Sequence, residues 1–167
     1  MKQFTVSLLM TACMLFAAEN APVISLQTNN GSPSGGDQIK IIVMIKDVTN
    51  LDTYSIDIAY DSDVFALERA VIDDPFAGLH NVLRSGKGKI IPVIKKGEGK
   101  VNISATLTGT EPTGTIAEER LAGILLLSVK NAGKGKVEIV KSELLDNKRG
   151  IIKHETGPEL IFNKGEQ

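Results

Sequence analysis

Ile39, Ile41, Val43 and Ile45 occupy every second position of one stretch of the chain. Tyr54, Ile56, Ile58 and Tyr60 do the same in the next, with Ser55, Asp57 and Ala59 between them. Val101, Ile103, Ala105 and Leu107 form a third apolar row opposite Asn102, Ser104, Thr106 and Thr108; Leu125, Leu127 and Val129 form a fourth, followed by Val137 and Ile139. A period of two is the repeat of a half-buried strand, because successive side chains leave a strand on opposite sides. Clusters of Gly, Asn, Asp, Ser and Pro separate these rows, at 29–37, 49–50, 61–63, 85–88, 96–99, 109–114, 131–135 and 146–150. Turn signals spaced this closely mark a sandwich or barrel. The one helical hint is Asp74-Pro75-Phe76-Ala77-Gly78-Leu79, where Asp74 is placed to cap and Pro75 suits a first helical position. The pattern predicts an all-β domain with one short helical turn inside a connection.

Residues 1–18 break that pattern. An apolar run from Phe4 to Ala18 follows Lys2 and ends at the polar Glu19-Asn20. It is short for a membrane span and has the place and make-up of an export leader. Phe16-Ala17-Ala18 supplies one of the two small residues an ordinary signal peptidase wants, whereas Met10-Thr11-Ala12-Cys13 resembles a bacterial lipobox that would make Cys13 the lipidated first residue. Either route predicts a prokaryotic protein that is extracellular or on the cell surface, touching a membrane only through that lipid. The plan along the chain is a leader over 1–18, an N-terminal strand and Gly/Ser-rich loop over 19–36, one sandwich over 23–162, and a short polar tail over 163–167.

Composition narrows the function. A chain of 167 residues suits one domain with a sizeable core. Nineteen basic residues against 20 acidic ones argue against nucleic acid as a partner. A single cysteine excludes an internal disulfide framework and a Cys-rich metal site. No nucleophile elbow or HExxH motif accompanies His80 or His154, so the chain reads as non-catalytic. Asp61 and Asp63 offer hard oxygens to a weakly held calcium ion, although paired aspartates at a turn more commonly cap backbone amides; no other cofactor is called for. The lysine-glycine segments at 86–89, 95–100 and 133–136 read as solvated hairpin tips that discourage edge pairing, or as a basic rim.

Gly36-Asp37-Gln38-Ile39, the segment Tyr54-Ser55-Ile56-Asp57-Ile58-Ala59-Tyr60-Asp61 and the following Asp63-Val64-Phe65-Ala66-Leu67 together resemble the opening strands of the cohesin domain, the receptor module of bacterial cellulosomes. Gly99-Lys100-Val101-Asn102-Ile103-Ser104-Ala105 is similar to the family's sixth strand, and 121–130 to its long seventh. Segments 137–146 and 157–162 are similar to the last two, so the likeness runs from about Val23 to Phe162. It implies a nine-stranded jelly-roll β-sandwich, related in architecture to carbohydrate-binding modules. It also implies a protein partner of the dockerin type, a small helical calcium-loaded module attached to secreted enzymes.

In cohesins the partner lies on one flat sheet built from the third, fifth, sixth and eighth strands. Alternation puts Thr53, Ser55, Asp57 and Ala59 outward on the third strand here, Asn102, Ser104, Thr106 and Thr108 on the sixth, and Lys136, Glu138 and Val140 on the eighth. Thr53 and Ser55 stand where the family commonly has Asn and Asp. On the opposite sheet Ile42 and Met44 point out beside Ile124 and Leu126, an exposed apolar patch that would mark an interface. A polysaccharide is the alternative partner, through hydrogen bonds to the hydroxyls. The chain has no Trp, and Tyr54 and Tyr60 share the inward parity of Ile56 and Ile58, which leaves little aromatic surface for stacking on sugars.

Overall fold

The computed structural model describes residues 20–131 and 133–163; the leader with Cys13 and the tail beyond Asn163 lie outside them. Twelve strand segments follow one another: β1 Val23–Thr28, β2 Gln38–Lys46, β3 Val48–Thr49, β4 Leu51–Tyr60, β5 Phe65–Val71, β6 Lys87–Gly97, β7 Lys100–Glu111, β8 Thr115–Ile116, β9 Arg120–Val129, β10 Gly135–Asp146, β11 Glu155–Thr156 and β12 Leu160–Phe162. They form a sheet of order β11-β1-β2-β9-β5, a second of order β12-β10-β4-β7-β6, and a small β3-β8 pair. Setting aside the two-residue β3, β8 and β11 leaves the nine strands expected of the jelly roll.

The alternating rows become the facing interiors of the two sheets. Ile39, Ile41, Val43 and Ile45 of β2 and Leu125 and Leu127 of β9 pack against Tyr54, Ile56 and Ile58 of β4 and Val101 and Ile103 of β7, all fully buried. Each such aliphatic side chain contributes about 1.5–3 kcal/mol by leaving water. The sheets approach closely at Gly123, where an added Cβ would meet Ile103 Cδ1 at 2.8 Å. Phe65 and Phe162 meet edge to face, with ring centroids 5.2 Å apart.

The free edges are managed by two devices. Pro92 lies mid-strand in β6, an edge strand, where a missing N–H costs no ladder bond. The C-terminal chain stitches the sheets together: Ile152 N–H donates to the Leu144 carbonyl (2.8 Å), β11 runs parallel to β1, Gly157 N–H donates to the Ile24 carbonyl (2.7 Å), and β12 returns to the start of β10.

The crossing from β5 to β6 holds the expected short turn and a second one. A 3-10 turn spans Pro75–Ala77, with Asp74 Oδ1 accepting Ala77 N–H (3.3 Å) and Gly78 in the left-handed region at φ 69°. Another spans Val82–Ser85, capped by Asn81, and buries Val82 and Leu83. Asn81 pins this crossing to the core. Its Nδ2 donates to the Tyr54 hydroxyl (2.6 Å) and the Ile72 carbonyl (3.1 Å), while the Tyr54 hydroxyl donates to the Ala122 carbonyl (2.6 Å). Burial pushes the Tyr54 phenol well above the ordinary tyrosine range, against the Asn81 hydrogen bond.

Two outcomes follow from this junction. Tyr54→Phe should cost about 1–3 kcal/mol of stability, since Asn81 loses a buried partner; urea unfolding measures it. Because the folded phenol is harder to ionise than the unfolded one, the Tyr54 contribution is complete below about pH 10 and falls as pH rises beyond it. Absorbance titration of the folded protein should show Tyr54 silent until alkaline unfolding, and ionisation of both tyrosines at ordinary pH values while folded would contradict the buried phenol.

Candidate binding face

The outer face of the second sheet is built from rows fixed by strand register. Ile91, Thr106, Thr53 and Leu145 stand side by side across β6, β7, β4 and β10, and Val93, Ser104, Ser55 and Glu143 form the next row. Lys95, Asn102, Asp57 and Lys141 form a third. Of the outward residues read from alternation, Thr53, Ser55, Asp57, Asn102, Ser104 and Thr106 are therefore brought together at the centre. Glu138 shares the face at one end, opposite Ala59, where it pairs with Lys136 at 2.9 Å. That hydrogen bond and charge hold the Lys136 ammonium above the ordinary lysine range.

The central side chains satisfy one another. A hydroxyl donates only once, and one assignment meets every short contact. Ser104 donates to Asn102 Oδ1 (2.6 Å) and accepts from Ser55 (2.9 Å). Asn102 Nδ2 donates to Ser55 Oγ (3.0 Å) and to Asp57 Oδ1 (2.7 Å). Ser55, Ser104 and Asn102 thus close a ring of hydrogen bonds anchored on the Asp57 carboxylate. One row on, the Thr53 and Thr106 hydroxyls meet at 3.2 Å. The donors are spent inside the ring, so what remains for a visitor is acceptor lone pairs on the hydroxyls and on Asp57.

Two contributors were not legible. Ile91 and Val93 of β6 are 45% and 44% exposed, beside the hydroxyl rows. The β6 segment is apolar on both parities, with Ile90, Pro92 and Ile94 against Ile91 and Val93, so alternation alone could not tell its faces apart; Pro92 was the available sign of an edge. Lys89 and Lys95 flank the pair and form no ion pair among the described residues. On β10 a bulge between Ile139 and Lys141 resets the parity. It is Lys141 and Glu143, rather than a continuation from Val140, that stand opposite Asp57 and Ser55.

The apolar patch on the other sheet is altered by the crossing. Ile42 does stand directly opposite Ile124, and Lys40 opposite Leu126. Ile124, however, is only 4% exposed, and Ile42, Met44 and Leu126 are half-buried. The connection after Val71 leans over this face and is tied down by an ion pair from Lys40 to Asp74 at 3.3 Å. The expected open patch is reduced to a groove of about 440 Å³ over Ile124 and Leu126, closed on one side by Asp73, Asp74, Pro75 and Phe76. Alternation assigned the face correctly; the cover came from a segment whose path depends on the tertiary fold.

The remaining polar candidates have local work. Asp61 Oδ1 accepts Asp63 N–H (3.2 Å) and the Asp61 carbonyl accepts from Val64 and Phe65, so the pair organises a turn. Among the described residues no three His, Cys, Asp or Glu side chains converge as a metal site. His154 Nδ1–H donates to the Ile152 carbonyl (2.9 Å), which leaves Nε2 to accept from Ser142 (2.8 Å); this contact, which no local pattern announces, ties the C-terminal strap to β10.

No family model and no curated protein matches the chain. Solved structures do. A non-cellulosomal cohesin from the archaeon Archaeoglobus fulgidus superposes with a TM-score of 0.64 at 10% identity, covering 88% of this chain and 93% of that one. The cohesin module of a Clostridium perfringens family 33 glycoside hydrolase gives 0.62 at 14% identity, covering 87% and 98%. The type I cohesin–dockerin complex from Clostridium thermocellum gives 0.62 at 12%, covering 86% and 94%. At such identities the likeness is one of architecture, and the fold of this chain is that of the cohesin modules.

Proposed function

We propose that the chain is a non-catalytic, exported module that binds a protein partner of the dockerin type across the outer face of β6, β7, β4 and β10. One observation carries the reading: a central band of small hydroxyl and amide side chains whose donors are internally spent, bordered by the half-exposed Ile91 and Val93. Such a face costs little to desolvate at its centre and offers two aliphatic anchors at its side, the arrangement of a docking surface with a few energetic hot spots. Structures of the same fold have been solved with dockerins bound, which supports a protein as partner. The partner that suits this face presents hydrogen-bond donors to Asp57 and the hydroxyls, and carboxylates to Lys89 and Lys95. Export rests on the leader sequence, and Cys13 is the candidate anchor.

Capture from the secretome of the source organism, with and without calcium, tests the reading. Calcium-dependent recovery of a module with duplicated calcium loops is the expected result. Retention on insoluble polysaccharide with no protein partner would sink it. Ser55→Arg and Val93→Arg should each weaken capture by about 30-fold, the effect of losing a hot spot of about 2 kcal/mol. Leu126→Arg, on the other sheet, should leave it unchanged. Wild-type affinity in both of the first two variants would show that the partner uses another surface. The mature N-terminus, sequenced from protein recovered outside the cell, reads whether the leader ends at a lipid-modified Cys13 or after Ala18.

A further inference from the structure

Beyond β10 the chain turns at Asp146 and runs back beside the strand. Leu145 and Ile151 form an antiparallel bridge, Ile152 N–H donates to the Leu144 carbonyl at 2.8 Å, and His154 Nε2 accepts from Ser142 at 2.8 Å. All three contacts share one register. Facing residues of a ladder lie on the same side of a sheet, so Ile151 joins Leu145 on the outer face. Ile152 packs against the core, and His154 turns in with Ser142, the neighbour of buried Ile56. The same register sets Lys153 on the outer face opposite Glu143. The row of Ile91, Thr106, Thr53 and Leu145 therefore gains Ile151 as a fifth member.

Ile151 is 75% exposed, yet the turn before it is fixed. Asp146 Oδ1 accepts the N–H groups of Lys148 (2.8 Å) and Gly150 (2.7 Å), and Asp146 N–H donates to the Gly150 carbonyl (2.9 Å). A side chain on such a support loses little freedom when a partner covers it. The docking face thus has two aliphatic borders, Ile91 and Val93 on β6, and Leu145 and Ile151 at the strap. Lysines stand at both. Lys89 and Lys95 flank the first border, Lys141 and Lys153 lie by the second, and none of the four forms an ion pair among the described residues. Of the acids beside them, Asp57 accepts from Asn102 and Glu138 is paired with Lys136, while Glu143 faces Lys153 without an ion pair. The turn adds Lys148 and Arg149, also unpaired. The balance left at both borders is positive, on a chain whose net charge is -1.

The borders are too far apart for one helix. Four steps between strands about 4.8 Å apart put Ile91 and Ile151 about 19 Å from each other. A single helix is about 10 Å across, whereas two helices packed about 9 Å apart cover about 20 Å. We propose that the docking face continues onto the strap and takes a pair of packed acidic helices, one over each aliphatic border, with Ile151 as the anchor of the second. This rests on the docking reading above and specifies its partner: each outer flank of the helix pair carries an aliphatic side chain with carboxylates beside it.

The probe is the module recovered by calcium-dependent capture, expressed alone and titrated calorimetrically into the full chain. Ile151→Asp should weaken binding by about 30-fold, as loss of a hot spot does, with an unchanged urea midpoint because the side chain is exposed. Lys95→Glu and Lys153→Glu should each weaken it by about fivefold at 50 mM salt and by less at 500 mM. Photoreactive benzoylphenylalanine placed at position 91 and at position 151 should crosslink to two different helices of the module, read by mass spectrometry. Wild-type affinity in Ile151→Asp, crosslinks from both positions to one helix, or indifference to both lysine reversals overturns the proposal. If Ser55→Arg and Val93→Arg still lose affinity in that case, the docking reading stands and only its extension falls. If those two variants bind like wild type, or capture yields no such module, the docking reading falls and the extension with it.

Discussion

Everything on the surface of this module depends on the packing of two sheets through one shared set of aliphatic rows. Once Ile56 and Ile58 of β4 and Val101 and Ile103 of β7 are buried against β2 and β9, the intervening residues have no choice but to face water. A slip of one residue in β4 would drive Ser55 and Asp57 into the core and bring out Ile56 and Ile58. Burying an unpaired carboxylate costs more than any surface contact returns. The register that sets the hydroxyl rows is therefore protected by the core, and Asp57, Asn102 and Ser55 sit at hydrogen-bond distance because hydrophobic packing on the other side of the sheet leaves them there.

The two outer faces solve the problem of exposure in different ways. On the β4 and β7 side, small hydroxyl and amide side chains bond to one another, so the centre of the surface holds no unmet donor on Ser55, Ser104 or Asn102. On the β2 and β9 side, aliphatic residues would lie open, and the chain covers Ile124 with a loop braced by Lys40, Asp74, Asp73 and Arg84. The bracing is coupled to the core through Asn81, whose side chain reaches the buried Tyr54 hydroxyl. Loop, core and groove are mechanically one unit, which is why a residue as exposed as Phe76 can still be held in place.

Much of the fold was legible because its period is simple. Each strongly alternating row became a strand with its apolar side inward; the turn clusters fell between strands or ran into their ends, with 109–111 of one cluster still inside β7. The candidate residues on β4 and β7 were found for the same reason. The misreadings sit where period two fails. In β6, an edge strand with both faces partly wet, the apolar residues carry no parity, and Ile91 and Val93 were not anticipated. In β10 a bulge adds a residue, so Lys141 and Glu143 take the places that simple alternation would assign past Val140. At Ile124 the parity was right and the exposure was not, because a segment 50 residues earlier in the chain folds over it.

By itself, the amino-acid order determined the class of structure, the inward set of each regular strand, and the hydroxyl character of one outer face. These are local consequences of side-chain alternation, which needs only neighbours in sequence. The tertiary structure decided which strands stand side by side, and hence the closed ring of Ser55, Ser104 and Asn102. It also decided that the aliphatics of β6 border that ring and that a braced loop narrows the opposite patch to a groove. Those depend on contacts between residues tens of positions apart, formed at the distances the packed core imposes, and no local pattern encodes them.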